Sequence, residues 1–127
     1  MLEGNSGDDV LMGNDGDDCI KGNHGIDILD GGKGNDCLYA NKSYGRSKSD
    51  EENIVLGGDG DDYIKGSRGN DLVDGEGDND KIYGIKGENI LLGNAGDDNI
   101  FGGYGKDIIE GNSGEDDIKA SEKDTVH

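Results

Sequence analysis

The chain has no proline and no tryptophan, and only two cysteines in 127 residues. Hydrophobic residues make up 29% of it and the formal net charge is −18. By charge and hydropathy alone, such a composition reads as disordered. No apolar run approaches the about 20 residues that span a membrane, and no signal-peptide pattern opens the chain. With 12 basic residues against 30 acidic ones, nothing points to nucleic acid as a partner. His24 lies in a Gly-rich stretch and His127 ends the chain, so zinc-ligand spacing is missing. Nor is there a nucleophile–base pattern, a phosphate loop with its lysine, or a metalloprotease helix. No enzymatic activity is expected. Paired carboxylates such as Asp61 and Asp62 imitate a glycosidase dyad, but they recur at repeat positions.

What is plentiful is glycine, 26 residues, and it is periodic. The stretch from Gly57 to Asp74 reads GGDGDDYIK then GSRGNDLVD, two units of nine residues. Each has glycine first, glycine or a small polar residue second, glycine fourth, Asp sixth and an aliphatic residue eighth. Glycines at the first and fourth positions permit backbone angles that a side chain would obstruct, so the first six residues can wrap tightly. The wrap turns carbonyls inward, and the sixth-position Asp adds a carboxylate. Calcium takes six to eight such hard oxygens at about 2.3–2.6 Å. The last three residues suit a short strand, where an inward eighth side chain leaves the seventh and ninth facing out. One unit cannot bury its aliphatic residue alone; a stack of them makes a continuous core.

Four units run without a break: Gly4–Met12, Gly13–Lys21, Gly22–Asp30 and Gly31–Tyr39. Ala40–Ser47 is an insertion, and Lys48–Leu56 is a degenerate unit without glycine. Seven units follow, from Gly57–Lys65 to Gly111–Lys119, and the tail Ala120–His127 reads as a decayed last strand. The whole, 1–127, is one domain. The eighth positions are Leu11, Ile20, Leu29, Leu38, Val55, Ile64, Val73, Ile82, Leu91, Ile100, Ile109 and Ile118, every one aliphatic. The sixth positions are Asp9, Asp18, Asp27, Asp36, Asp62, Asp71, Asp80, Asp98, Asp107 and Asp116, with Asn53 and Asn89 in the two remaining units. A merely solvated acidic surface would not keep a carboxylate in phase with the aliphatic residues. The ten Asp are therefore read as calcium ligands, and fifth-position acids such as Asp61 as outlying.

Over Gly4–Lys119 the chain resembles the RTX, or haemolysin-type, calcium-binding nonapeptide repeat. The resemblance implies an all-β parallel β-roll, a two-sheet β-solenoid of about 18 residues per turn and roughly six turns, with several calcium ions in the turns. It also implies that the sixth-position Asp residues act with carbonyls from the same and the next coil. Asn53 and Asn89 lower the charge at two sites, Asp78 replaces a fourth-position glycine, and the degenerate unit is expected to lack a proper site.

In such a roll, odd and even units lie on opposite sheets. The outward seventh positions then separate into Val10, Ile28, Ile54, Leu72, Ile90 and Ile108 on the odd sheet and Cys19, Cys37, Tyr63, Lys81, Asn99 and Asp117 on the even one. The odd set forms an apolar stripe, a candidate contact face. Its ninth positions alternate apolar and acidic: Met12, Asp30, Leu56, Asp74, Leu92 and Glu110. Cys19 and Cys37 occupy equivalent places on adjacent strands, close enough for a disulfide, yet in-register parallel neighbours aim their side chains poorly, so free thiols remain open. Lys42, Arg46 and Lys48 make the insertion the one locally basic spot.

The functional expectation is an extracellular, calcium-binding structural protein that folds on binding calcium and self-associates. Contact would run end to end, through the apolar stripe, or both, into filaments or a surface layer. Met1–Glu3 is expected to be too short to cap the first coil, and the tail to cover at most one strand. The alternative is a calcium-triggered folding and secretion module of a larger secreted toxin, protease or adhesin. The resemblance implies type I export with an uncleaved C-terminal signal, for which the tail is expected to be too short.

Overall fold

The computed structural model describes residues 1–41 and 51–127. Most of the expected insertion and the start of the degenerate unit, with Lys42, Arg46 and Lys48, lie outside the described residues. Within them the fold is all-β. In chain order the strands are β1 (Leu2–Ser6), β2 (Val10–Met12), β3 (Cys19–His24), β4 (Ile28–Lys33), β5 (Cys37–Tyr39), β6 (Ile54–Asp59) and β7 (Tyr63–Lys65). They continue as β8 (Leu72–Gly77), β9 (Lys81–Tyr83), β10 (Ile90–Ala95), β11 (Asn99–Phe101), β12 (Ile108–Ser113), β13 (Asp117–Lys119) and β14 (Thr125–Val126).

Two seven-stranded parallel sheets result. One, the even sheet, runs β1-β3-β5-β7-β9-β11-β13; the other, the odd sheet, runs β14-β12-β10-β8-β6-β4-β2. The chain winds from one to the other as a β-solenoid of about six turns, and its register is the nonapeptide doubled. Ile90 pairs with Ile108 and Ile82 with Ile100, each a step of one coil. The register also absorbs irregular coils. Ile28 pairs with Ile54 across the longest coil, and Ile109 pairs with Val126 across the shortest.

The eighth position explains this tolerance. Ile20, Leu29, Leu38, Val55, Ile64, Val73, Ile82, Leu91, Ile100 and Ile109 have no exposed surface and form one column between the sheets. Burying each stabilises the fold by about 1.5–3 kcal/mol. On the even sheet a register slip of one residue would exchange this column for neighbours such as Lys81, Asn99 and Asp117. Leu2, Leu11 and Ile118 flank it at the ends. The first residues are thus more than a short leader: Leu2 pairs with Ile20 and Glu3 with Lys21. At the other end the tail supplies β14, beside β12.

The turns correct the expectation about glycine. The second and fourth positions, not the first and fourth, lie in the left-handed region, as at Gly58 (φ 105°) and Gly60 (φ 121°). Asn, which tolerates that region, takes the second position at Asn5, Asn14, Asn23, Asn94 and Asn112. Asp78, in place of a fourth-position glycine, adopts it too (φ 72°), as does Ile85 (φ 75°), an uncomfortable conformation for a β-branched residue. The first position needs glycine for space. A Cβ on Gly57 would stand 2.6 Å from both Asp62 Oδ2 and the Gly75 carbonyl oxygen.

The two outer faces differ. On the odd sheet, Val10 is 66% exposed and Ile28, Ile54, Leu72, Ile90 and Ile108 lie between 37% and 42%, an apolar stripe along the axis. On the even sheet, Tyr39, Tyr63, Tyr83 and Phe101 form an aromatic ladder, closing to a stacked pair 4.7 Å apart at Tyr83 and Phe101. Lys119 caps it, its Nζ 4.9 Å from the Phe101 ring centroid.

Candidate metal centre

Each turn ends on its sixth-position side chain, which points inward beneath the glycine that opens the turn. One oxygen is committed to the backbone. The Asp62 N–H donates to Asp80 Oδ1 at 2.9 Å, the Asp80 N–H to Asp98 Oδ1 at 2.8 Å, and the Asp98 N–H to Asp116 Oδ1 at 3.0 Å. On the same edge the Asp18 N–H donates to Asp36 and the Asp36 N–H to Asp62. The opposite edge carries an equivalent row, from Asp9 through Asp27, Asn53, Asp71, Asn89 and Asp107 to Asp124. The sixth position is therefore a structural strut as well as a carboxylate.

The second oxygen is what a cation would use. Oδ2 of Asp9, Asp27, Asp36, Asp62, Asp80, Asp98 and Asp107 is buried and has no hydrogen-bond partner. A carboxylate oxygen left so would cost several kcal/mol if charged. At most turns Oδ2 converges with the carbonyl oxygen of the next coil's first residue on the space a Cβ would fill. Gly75 shows this with Asp80 Oδ2 and the Gly93 carbonyl, and Gly31 with Asp36 Oδ2 and the Gly57 carbonyl. Among the described residues no three His, Cys, Asp or Glu side chains gather as a metal cluster. The donor set is instead carboxylate plus backbone carbonyl, all oxygen, which fits calcium rather than a thiolate- or imidazole-seeking metal.

The electrostatics agree. Burial pushes the Asp62 carboxyl up to about 7 and Asp80 up to about 8, helped by neighbouring carboxylates and opposed by the backbone hydrogen bonds. Burial likewise raises Asp27, Asp36, Asp98 and Asp107. These are groups that want a proton or a cation.

The remaining expected ligands fall into two kinds. Asp18 and Asp116, nearer the ends of the roll, are partly exposed. Asp71 is buried but differently placed: Asn53 and Ser67 already donate to its carboxylate. At Asn53 and Asn89 an amide nitrogen replaces the second oxygen, and Asn89 Nδ2 donates to the Lys86 carbonyl at 3.1 Å. Cys19 and Cys37 pair in register as free thiols, and burial raises Cys37.

Two features escaped the sequence pattern. Asp124 takes the sixth-position place in the last coil, accepting the Asp107 N–H at 3.0 Å and the Ser121 N–H at 2.6 Å. It sits 17 rather than 18 residues on, so a strict period misses it, although Asp-Thr-Val keeps the local Asp-x-aliphatic order. The fifth position also forms a ladder, of opposite direction. Asp61 Oδ1 accepts the Asn79 N–H at 2.9 Å, and Asn79 Oδ1 accepts the Asp97 N–H at 2.8 Å. The fifth-position acids are thus part of the frame.

A family model described as the RTX calcium-binding nonapeptide repeat matches the chain in four copies over residues 3–38, 56–84 and 83–118. The gap between the first two segments spans the insertion and most of the degenerate unit. No curated protein and no solved structure matches the chain. Among the described residues no helix is long and apolar enough to cross a membrane. With the matched segments covering most of its length, the chain belongs to the RTX calcium-binding nonapeptide repeat family, whose turns bind calcium.

Proposed function

We propose that this chain is an extracellular structural protein whose roll folds on binding calcium and then self-associates. The observation that carries the first half is the set of buried Oδ2 atoms without partners, most of them beside a first-position carbonyl of the next coil and Asp107 beside Asp124 Oδ2. Asp9, Asp18, Asp27, Asp36, Asp62, Asp80, Asp98, Asp107 and Asp116 supply carboxylate oxygen, and first-position carbonyls supply the rest. Bound calcium neutralises carboxylates that otherwise repel along each edge of a chain carrying −18. An extracellular setting suits this chemistry, since extracellular modules bind calcium weakly, with Kd about 10⁻⁴–10⁻³ M. Circular dichroism tests the coupling: β signal appears on adding calcium and disappears with chelator. A chelated sample that keeps its full β signal at neutral pH overturns it.

Self-association draws support from the outer faces. The odd face offers a contiguous apolar stripe flanked by Asp30, Asp74 and Glu110. The even face offers Lys21, Lys65, Lys81 and Lys119 among its aromatic rings, so the two faces are opposite in sign. A head-to-tail stack through the strand edges of the end coils would extend without closing. Light scattering with saturating calcium tests it, and a strictly monomeric species at high concentration rejects it. Those same free edges in β1, β2, β13 and β14 are the observation behind a second reading, in which the roll is a calcium-triggered module of a larger secreted protein.

A further inference from the structure

The turn of Gly66–Asp71 is built unlike the others. In the other glycine-bearing units the second position is left-handed, at Asn5, Asn14, Asn23, Gly32, Gly58, Glu76, Ile85, Asn94, Gly103 and Asn112. Ser67 is not, and neither is Gly69 at the fourth position. The different path brings the Ser67 N–H and hydroxyl onto the Asp71 carboxylate. Ser67 Oγ lies 2.9 Å from Oδ2 and 3.0 Å from Oδ1. From the preceding coil, Asn53 donates its N–H and Nδ2 to Oδ1, both at 3.0 Å. Ionised carboxylate offers about four lone-pair sites, and here the donors occupy them.

The flanking coils close the site from both sides. Asn53 Oδ1 accepts the Asp27 N–H at 2.9 Å, and Asn89 Oδ1 accepts the Asp71 N–H at 2.9 Å. Those bonds fix each amide's orientation, because a flip would set N–H against N–H. Nδ2 of each therefore stands where a sixth-position Asp has its free oxygen. At Gly84 the position of a Cβ lies 2.9 Å from Asn89 Nδ2, where Gly75 and Gly93 have a carboxylate oxygen. An amide N–H repels a cation.

We propose that the sixth-position side chains Asn53, Asp71 and Asn89, successive along one edge of the roll, hold no calcium, and that hydrogen bonds from Asn53, Ser67 and Asn89 take the metal's place. Calcium then occupies a continuous row along the edge of Asp18, Asp36, Asp62, Asp80, Asp98 and Asp116. On the other edge it occupies two separate groups, around Asp9 and Asp27 and around Asp107. This rests on the calcium reading above and assigns Asp71, a sixth-position Asp, the role of a clamp rather than a ligand.

Calcium uptake by equilibrium dialysis of the full chain tests it. Asp80→Asn lowers the number of ions bound, Asp71→Asn leaves that number unchanged, and Asn89→Asp with Ser67→Gly raises it. Should Asp71→Asn fail to fold, crystals of the unmodified chain grown with calcium decide by anomalous scattering. Peaks along the Asp36–Asp98 row with none beside Asp71 support the proposal. A peak at Asp71 overturns it while leaving the calcium reading intact. Absence of calcium from both edges overturns both.

Discussion

The two edges of the roll share one core but not one chemistry. Along the even edge every coil from Asp18 to Asp116 repeats the sixth-position strut. The fifth position does the same there, through Asp17, Asn35, Asp61, Asn79 and Asp97. Along the odd edge the sixth-position row survives, yet among the described residues the fifth-position ladder shrinks to Asp8 with Ile26 and Asn70 with Glu88. The odd edge also holds the displaced Asp124 and the clamp at Asp71. Meanwhile Ile64 and Ile82 on one sheet are as buried as Val73 and Leu91 on the other. Apolar burial and backbone pairing thus set the fold, and turn chemistry varies on top of them.

Chelation gives the largest effect and divides the edges most sharply. Without calcium at neutral pH, buried carboxylates on the even edge lose their counter-charge, whereas Asp71 keeps its donors. Chelator is expected to collapse the β signal as a whole. Under partial chelation, hydrogen exchange should rise first at the Asp62, Asp80 and Asp98 amides and last at Asn53 and Asp71. Uniform loss of protection at both edges would break the comparison.

Acid should replace calcium. Asp62 and Asp80, ordinarily near 3.8, stand at about 7 and about 8 in the folded roll. A carboxylate raised on folding binds more protons folded than unfolded, so its contribution is fully present below pH of about 4 and lost as pH climbs through 7 to 8. The calcium-free roll is expected to grow less stable over that window. Calcium should reverse the trend and release protons as it binds, which calorimetry in buffers of different ionisation enthalpy measures. A chelated chain of constant stability from pH 4 to 8 contradicts this.

A single even-edge change should carry opposite signs in the two states. Asp98→Asn removes a free oxygen, weakening calcium binding, but it also removes a buried negative charge. Thermal melts should show the variant less stable than the parent in calcium, and in chelator its β signal should persist to a higher pH than the parent's. Loss of stability in both would show that the buried charge at Asp98 does not destabilise the calcium-free roll.

The aliphatic column, the sheet assignment of odd and even units and the apolar stripe were all legible in the sequence. Period-nine spacing is enforced by the core at Ile64, Val73 and Ile82, and the core tolerates no substitute of another kind. The clamp was not legible, because Asp71 matches the repeat and only the backbone path of Ser67 sets it apart. Asp124 was lost to a one-residue deletion that the register absorbs. The roles of the glycines were misassigned because spacing reveals that a side chain is unwelcome, not whether φ or a clash excludes it.

The proposed assembly through the odd face should be separable from folding. Leu72→Lys with Ile108→Lys places charge on two exposed stripe positions without touching the core or the turns. Sedimentation in calcium should show lateral association lost, with the circular dichroism unchanged. Lys65→Glu on the even face should weaken association less if it joins unlike faces, and leave it unaffected if two odd faces meet.

The smallest expected effect concerns the fifth position. Asp61→Asn keeps an oxygen for the Asn79 N–H, as Asn35 already does for Asp61 itself, and should leave stability unchanged. Asp61→Ala loses that bond, a contribution of about 0.5–1.5 kcal/mol, with the low end fitting its exposure. Asn70→Ala removes the matching bond to Glu88 on the odd edge, where it stands nearly alone. If ladder bonds act independently, the two losses are equal. If bonds in a row polarise one another, the loss at Asp61 is greater because its neighbours on both sides belong to the same ladder. Chemical denaturation in saturating calcium resolves a difference of this size when the midpoints are compared at constant slope. A larger loss at Asn70 than at Asp61 would show that the even edge draws no added stability from its continuity.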